Sequence, residues 1–304
     1  MATALTHTAL PLYTLHRTAW LPALVLPAAG LGTFTRVPIW MLAWALTAAL
    51  YAGFKWLTFA RSTQARSATF SESLAYLLLW PGMDANAFLR PSRPGQQRSR
   101  PAWREWLMAL LKLLTGLLLI FGLAPLTTSL PSLVTGWVGV VGLALVLLFG
   151  FAHLVSLIWR TLGVDAQPIM NRPLWATSLS DFWGGRWNLA FHDVGREFVF
   201  KPLLRRWGVL GATLGVFLFS GIVHEIPMSV ATRQGLGLPT LYFLIQAAGV
   251  VIERSPVGKR FGLGRGLLGR AFAALVILAP VGLLFHHAFL TRVIIPTLKF
   301  VQAI

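Results

Sequence analysis

The chain has 304 residues, 56% hydrophobic and only 12% charged, with 26 Lys+Arg against 9 Asp+Glu and no cysteine. A soluble domain is about 25% charged, so a chain at half that value, with mean hydropathy +0.69, cannot cover a water-facing surface and belongs in a bilayer. The composition also excludes a disordered chain, and the missing cysteine excludes disulfides, thiolate metal sites, iron–sulfur clusters and cysteine nucleophiles.

A net charge of +17 is the kind of value a phosphate-binding surface carries. Its placement points elsewhere. The basic residues form short clusters between long uncharged stretches, the pattern of cytoplasmic loops under the positive-inside rule, so no nucleic-acid partner is expected.

From the N-terminus, Trp20 to Thr35 is uncharged but holds Pro22, Pro27, Gly30 and Gly32, and reads as an irregular first span. The order of features that marks a cleaved signal peptide is absent. Residues 37–54 are free of charge and long enough to cross a hydrocarbon core, which takes about 20 apolar residues. Residues 70–89 lie between basic groups expected on one side, and their apolar run breaks at Pro81-Gly82. A re-entrant or interfacial helix resolves this, and such backbone is tolerated at membrane depth only against protein or a cavity.

The cluster at 90–104 carries Arg90, Arg93, Arg98, Arg100 and Arg104 and is placed in the cytoplasm. The uncharged stretch 113–159 suffices for two crossings, and the Pro- and Thr-rich segment 123–133 splits it at a turn on the opposite side. Residues 160–206 read as a cytoplasmic loop. Further spans follow at 207–224, 234–252 and 271–291, with the acid-free cluster Arg254, Lys259, Arg260, Arg265 and Arg270 again inside. The expectation is an all-α polytopic membrane protein: a single domain over 1–304, with about seven or eight spans and one re-entrant or interfacial segment.

Few groups can carry chemistry. His7, His16, His153, His286 and His287 have structural readings: the first two terminal, His153 bonding a neighbouring helix, the last two reaching the interface. The loop 160–206 holds Asp165, Asp181, Asp193 and Glu197 among several tryptophans. An aromatic belt at the interface needs neither the acid at 181 nor the amide at 188. His224-Glu225 closes an otherwise uncharged span, where ionisable groups are costly and mark function by default. Adjacent residues lie about 100° apart on a helix, so one can face a cavity while the other pairs with a neighbour.

Asp181-Phe-Trp-Gly-Gly-Arg-Trp-Asn188, followed by Phe219-Ser-Gly-Ile-Val-His-Glu225, resembles the membrane-bound O-acyltransferase family, in particular its wax-synthase-like branch. There an S-x-x-D-F-W-G-x-R-W-N motif precedes S-G-x-x-H-E by some thirty residues, and Trp80-Pro-Gly-Met-Asp84 looks like a third element. The motif core spans 80–225. Gly185 departs from the pattern, since the branch often has a second Arg there, and the chain is short for the family.

The resemblance implies a helical fold around a central tunnel, and transfer of an acyl group from acyl-CoA to the hydroxyl of a lipophilic alcohol. His224 matches the family's catalytic histidine, the general base, and Asn188 the polar residue paired with it. Trp183 and Trp187 would line the tunnel, Asp181 and Arg186 would hold the loop, and Glu225 would sit beside the substrate. No metal or cofactor is implied, acyl-CoA being a co-substrate; Arg172, Arg186, Lys201, Arg205 and Arg206 would attract its phosphates. A proton-coupled transporter or flippase using His224 and Glu225 is the competing reading, but two similar halves with broken helices are not evident. The Ala-, Leu-, Gly- and Arg-rich usage fits a bacterial plasma membrane.

Overall fold

The computed structural model describes residues 19–31, 37–90 and 100–304. His7, His16, Arg93, Arg98 and the distal part of the expected first span lie outside the described residues. Among the described residues every regular element is helical. Four helices are long and apolar enough to cross a membrane: Trp103–Leu126 (α5), Ser132–Thr161 (α6), Leu189–Val230 (α8) and Gly266–Leu284 (α11). No more than 28% of the apolar window of any of them is buried inside the protein. Their hydrophobic surface therefore faces outward, as it does in helices that pack against lipid.

The other helices are α1 (Leu21–Leu31), α2 (Ile39–Arg61), α3 (Phe70–Leu79), α4 (Ala85–Phe88), α7 (Leu179–Gly185), α9 (Leu238–Arg254), α10 (Pro256–Arg260) and α12 (residues 287–300). The expected spans at 37–54 and 234–252 are the helices α2 and α9, but neither is among the four. The 23-residue α2 carries Trp, Tyr and Lys55, which lower its hydropathy, and α9 has only 17 residues. Helix α1 packs along α2 at Gly53, whose missing Cβ lets the backbone of Ala23 approach.

The segment 70–89 forms two short helices. Ten residues of α3 rise only about 15 Å, half the hydrocarbon thickness. Thr69 and Glu72 start α3 with a reciprocal capping box, and Asp84 starts α4 by accepting from the Ala87 N–H at 2.9 Å. Between them the Gly82 carbonyl accepts from Lys55, whose buried ammonium lies 3.5 Å from the Tyr76 ring centroid. The Trp80 to Asp84 element is thus pinned to the end of α2.

The turn expected at 123–133 is present. Helix α5 ends at Leu126, and the Thr127 hydroxyl donates to Thr135 at 3.0 Å, tying the turn to the start of α6. The two helices then run antiparallel with small residues at the seam. A Cβ on Gly150 would sit 2.8 Å from Leu113 Cα, and one on Gly116 2.8 Å from Val146 N.

Two expectations are corrected. The loop 160–206 is half helical, because Asn188 starts a helix that continues to Val230. Its charged residues include Glu197 and Lys201, an i, i+4 pair that supports a helix. A straight 42-residue helix would overrun any bilayer, and Gly208, at φ 66°, bends it where other residues would be strained. Among the histidines, His286 is buried rather than interfacial and accepts from the Phe289 N–H, while buried His153 Nδ1 has no hydrogen-bond partner. His287 is exposed as expected.

Gly150→Val should lower the thermal midpoint by the equivalent of about 1–3 kcal/mol of overpacking. Gly282→Ala, at a site where a Cβ meets nothing within 4 Å, should leave it unchanged in the same detergent melt.

Candidate active site

The segment from Ser178 to Asn188 is held by hydrogen bonds from both directions. Ser178 starts α7 by accepting from the Asp181 N–H at 3.0 Å. The free N–H groups of the first turn go to Glu253, at the far end of α9, which accepts from Leu179 at 2.6 Å and Ser180 at 3.1 Å. Arg254 Nε donates to Ser180 Oγ at 2.9 Å.

Asp181 accepts from the Thr177 N–H at 2.9 Å and from Arg186 Nε at 2.7 Å. Partial burial alone would raise its pKa, but these bonds outweigh that and hold the carboxyl below its ordinary value. Asp181 and Arg186 therefore close the loop on itself, and Asn171 donates to the carbonyls of Arg186 and Gly185 across the gap. A Cβ on Gly185 would meet nothing nearer than Asp181 Oδ1 at 4.0 Å, so the departure from the family pattern removes a side chain without reshaping the backbone.

Asn188 sits at φ 43°, ψ 61°, a left-handed conformation that Asn tolerates better than most residues. Its Oδ1 accepts from the Phe191 N–H at 3.3 Å and so starts α8. Its amide nitrogen makes no hydrogen bond among the described residues, which leaves a donor available.

The Ser220 to Glu225 element lies farther along α8. The Ser220 hydroxyl donates back to the Val216 carbonyl at 2.9 Å. Gly221 admits α9, since a Cβ there would lie 2.7 Å from Thr240 Cα. Glu225 Oε1 accepts from the Thr240 N–H at 3.0 Å, serving an unsatisfied donor in the first turn of α9. Its Oε2 is buried without a partner.

His224 points a different way. Its Nδ1 is 2.7 Å from the Ser220 carbonyl, which can only accept, so Nδ1 carries the proton and Nε2 keeps its lone pair. The ring is packed 4.7 Å from Phe243 and 6.1 Å from Phe191 between centroids.

Aromatic packing joins the two elements. Trp183 contacts Phe243 at 5.7 Å and Phe217 at 5.8 Å, and its indole donates to Gln246 at 3.3 Å. Trp183 and His224 thus flank one phenylalanine, and Phe191, on the turn that Asn188 starts, reaches the same imidazole. Trp187 lies farther off, stacked on Phe182 and edge-on to Phe149.

Sequence reasoning missed Phe243, Gln246 and Glu253, which hold α7 and α8 together. They belong to no motif, and Glu253 reads as the end of an apolar span beside a basic cluster. It also missed a cleft of about 560 Å³ lined by Arg61, Asp84, Asp193, Arg196 and Glu197 with Trp20 and Phe198, which brings the upstream Asp84 beside the start of α8. Arg172, Lys201, Arg205 and Arg206 are exposed, Lys201 being paired with Glu197. His192 Nδ1 is 3.4 Å from Asp193. No cluster of three potential metal ligands occurs among the described residues.

Glu253→Ala should leave two N–H groups unpaired and cost about 2–5 kcal/mol, read as a lowered melting temperature; Glu253→Gln should cost less, because one oxygen remains. The lowered Asp181 value gives a contribution that is complete above the ordinary carboxylate pKa and lost as pH falls through the folded value. Asp181→Asn should accordingly flatten the acid limb of the stability profile.

The comparisons with known proteins fall on these residues. Residues 166–245 match the model of the Membrane bound O-acyl transferase family. A long-chain-alcohol O-fatty-acyltransferase of Simmondsia chinensis is 37% identical over 33% of this chain and 32% of its own length. A probable long-chain-alcohol O-fatty-acyltransferase of Arabidopsis thaliana is 31% identical over 44% and 43%. An acyl-CoA–sterol O-acyltransferase of the same plant is 43% identical over 21% and 20%. The matches thus span between a fifth and less than half of these relatives. Residues 166–245, which carry both motifs and the helix turn between them, are thus similar to the membrane bound O-acyl transferase family and to long-chain-alcohol and sterol O-acyltransferases.

Proposed function

We propose that the protein transfers an acyl group from acyl-CoA to the hydroxyl of a lipophilic alcohol, in the manner of a wax-ester synthase, with His224 as general base. The observation that carries this reading is the bond from His224 Nδ1 to the Ser220 carbonyl. A base needs a fixed tautomer with its free nitrogen toward the substrate. The helix's own backbone supplies that here, where a carboxylate does so in many hydrolases.

In the reaction, Nε2 of His224 takes the proton of the alcohol as its oxygen attacks the thioester carbonyl. The carbonyl π electrons move onto oxygen. The tetrahedral intermediate collapses with loss of the CoA thiolate, which recovers the proton from Nε2, and the ester is left. The free amide N–H of Asn188 suits the developing oxyanion, since its Oδ1 is already engaged as the helix cap. Trp183 and Trp187 supply apolar walls. Asp181 and Arg186 hold the loop, and Glu225 secures the substrate end of α8 against α9.

The wider arrangement goes with this reading. We place the reaction in a central tunnel within seven or eight spans, α1, α2 and α9 adding to the four clear ones to give seven. The phosphates of CoA approach from the cytoplasmic face, drawn by exposed Arg172, Lys201, Arg205 and Arg206. A long-chain alcohol is the favoured acceptor because relatives carry that name. The bacterial plasma membrane rests on residue usage alone, and the relatives named above are plant proteins.

Purified protein given labelled acyl-CoA and a panel of long-chain alcohols and sterols should yield an ester. His224→Ala should reduce the rate by roughly 10² to 10⁴ with an unchanged melting temperature; full activity in that variant overturns the assignment. Asn188→Asp keeps the cap and tolerates the left-handed backbone but loses the N–H donor, so it should lose roughly 10² to 10³ in kcat while still folding.

A further inference from the structure

The seam between α5 and α6 contains two polar groups that acyl transfer does not use. On α5, Glu105, Ala109, Lys112 and Gly116 recur at helical spacing and share one face; on α6, Val146, Gly150, His153, Leu157 and Arg160 do the same. Three contacts fix the antiparallel register. Arg160 pairs with Glu105 at 2.7 Å, a Cβ on Gly150 would strike Leu113, and one on Gly116 would strike Val146. Interpolation sets Lys112 against His153.

Lys112 makes no hydrogen bond or ion pair among the described residues, and His153 Nδ1 is buried without a partner. Arg172 lies close enough for its charge to act on Lys112, as Lys112 acts on His153. An unpaired cation and an unsatisfied ring nitrogen inside the membrane are costly unless something answers them. What is missing is an anion with hydrogen-bonding oxygens.

Depth and surroundings say what carries it. Exposed Trp103 and the Arg104 stacked on it mark the cytoplasmic interface at the start of α5. Lys112 follows nine residues later, about 13 Å deeper, and its flexible stem carries the ammonium part of the way back toward the interface. Leu111, Leu114, Phe151 and Ile158, beside the seam, are all close to half exposed or more and offer an apolar bed for acyl chains.

We propose that the seam between α5 and α6 binds an anionic phospholipid of the cytoplasmic leaflet, its phosphate paired with the Lys112 ammonium, its chains lying on the outer faces of both helices. Arg172 adds long-range attraction. The site is separate from the surroundings of His224 and does not depend on acyl transfer.

Native mass spectrometry of the detergent-purified protein, titrated with phosphatidylglycerol, tests this. One phosphatidylglycerol should be retained in preference to phosphatidylcholine, and neither inorganic phosphate nor CoA should displace it. Lys112→Gln should weaken retention roughly five-fold, the effect of one basic group near an anionic headgroup. Lys112→Arg should restore it, and Lys259→Gln, in the exposed loop, should bind as the wild type. Equal retention of phosphatidylcholine, an unaffected Lys112→Gln variant, or an equal loss in Lys259→Gln would overturn the site; displacement by CoA would overturn the lipid as its occupant.

Discussion

The candidate site depends on two carboxylates that bind helix N-termini. Glu225 on α8 answers an open N–H of α9, and Glu253 at the other end of α9 answers two open N–H groups of α7. Helix starts carry partial positive charge and unsatisfied donors, and in a low-dielectric interior both make a carboxylate partner valuable. One helix of 17 residues therefore ties the histidine helix to the loop bearing Asp181 and Asn188, which are far apart in sequence. The same helix contributes Phe243 and Gln246, so the packing and the polar links coincide.

This explains why the short S-G-x-x-H-E motif contains what it does. Gly221 is there because α9 comes too close for a side chain, Glu225 because the arriving helix presents a donor, and the Ser220 carbonyl because His224 needs its proton on Nδ1. The other motif is built similarly: Asp181 and Arg186 close the loop, and Asn188 opens the next helix. Most residues of these motifs have structural work that can be named. Besides the buried Glu225 Oε2, Nε2 of His224 and the side-chain amide nitrogen of Asn188 remain uncommitted, and these last two are the atoms a transfer reaction would ask for.

Much of this was legible in the sequence. The uncharged stretches marked α5, α6 and α11, and the hydroxyl-rich turn marked the break near 128; the arrest at Pro81-Gly82 marked an irregular segment read as one re-entrant or interfacial helix, where the structure has the two short helices α3 and α4. The divergent directions of His224 and Glu225 followed from spacing, and the pairing of Asp181 with Arg186 from the motif's resemblance to a known family. Where reading failed, the cause was tertiary. The charge between 193 and 206 resembles a loop because hydropathy cannot register that Asn188 starts a helix and Gly208 bends it. Glu253 looks like one more polar residue at a span end, since its partners lie more than seventy residues away. His286 looks interfacial by position, yet a contact with Ser229 across 57 residues draws it inside.

The scarcity of charge gives the remaining groups their meaning. In a soluble protein a lone histidine or lysine is unremarked, because water satisfies whatever the fold does not. Inside a bilayer that escape is closed, and every polar atom has to be matched by protein, by substrate or by lipid. Helix N-termini account for Glu225 Oε1 and Glu253, the loop accounts for Asp181 and Arg186, and the Gly82 carbonyl accounts for Lys55. Among the described residues, the buried side-chain atoms left without a partner fall in two places, beside His224 and along the α5–α6 seam. The first has the aromatic enclosure and pinned tautomer suited to a reaction site, while the second has an open apolar flank and an unpaired cation whose stem reaches back toward the interface. The same rule of satisfaction thus separates the two places, and it is the ground for proposing different occupants for them, a reacting thioester and alcohol in one and a bound lipid in the other.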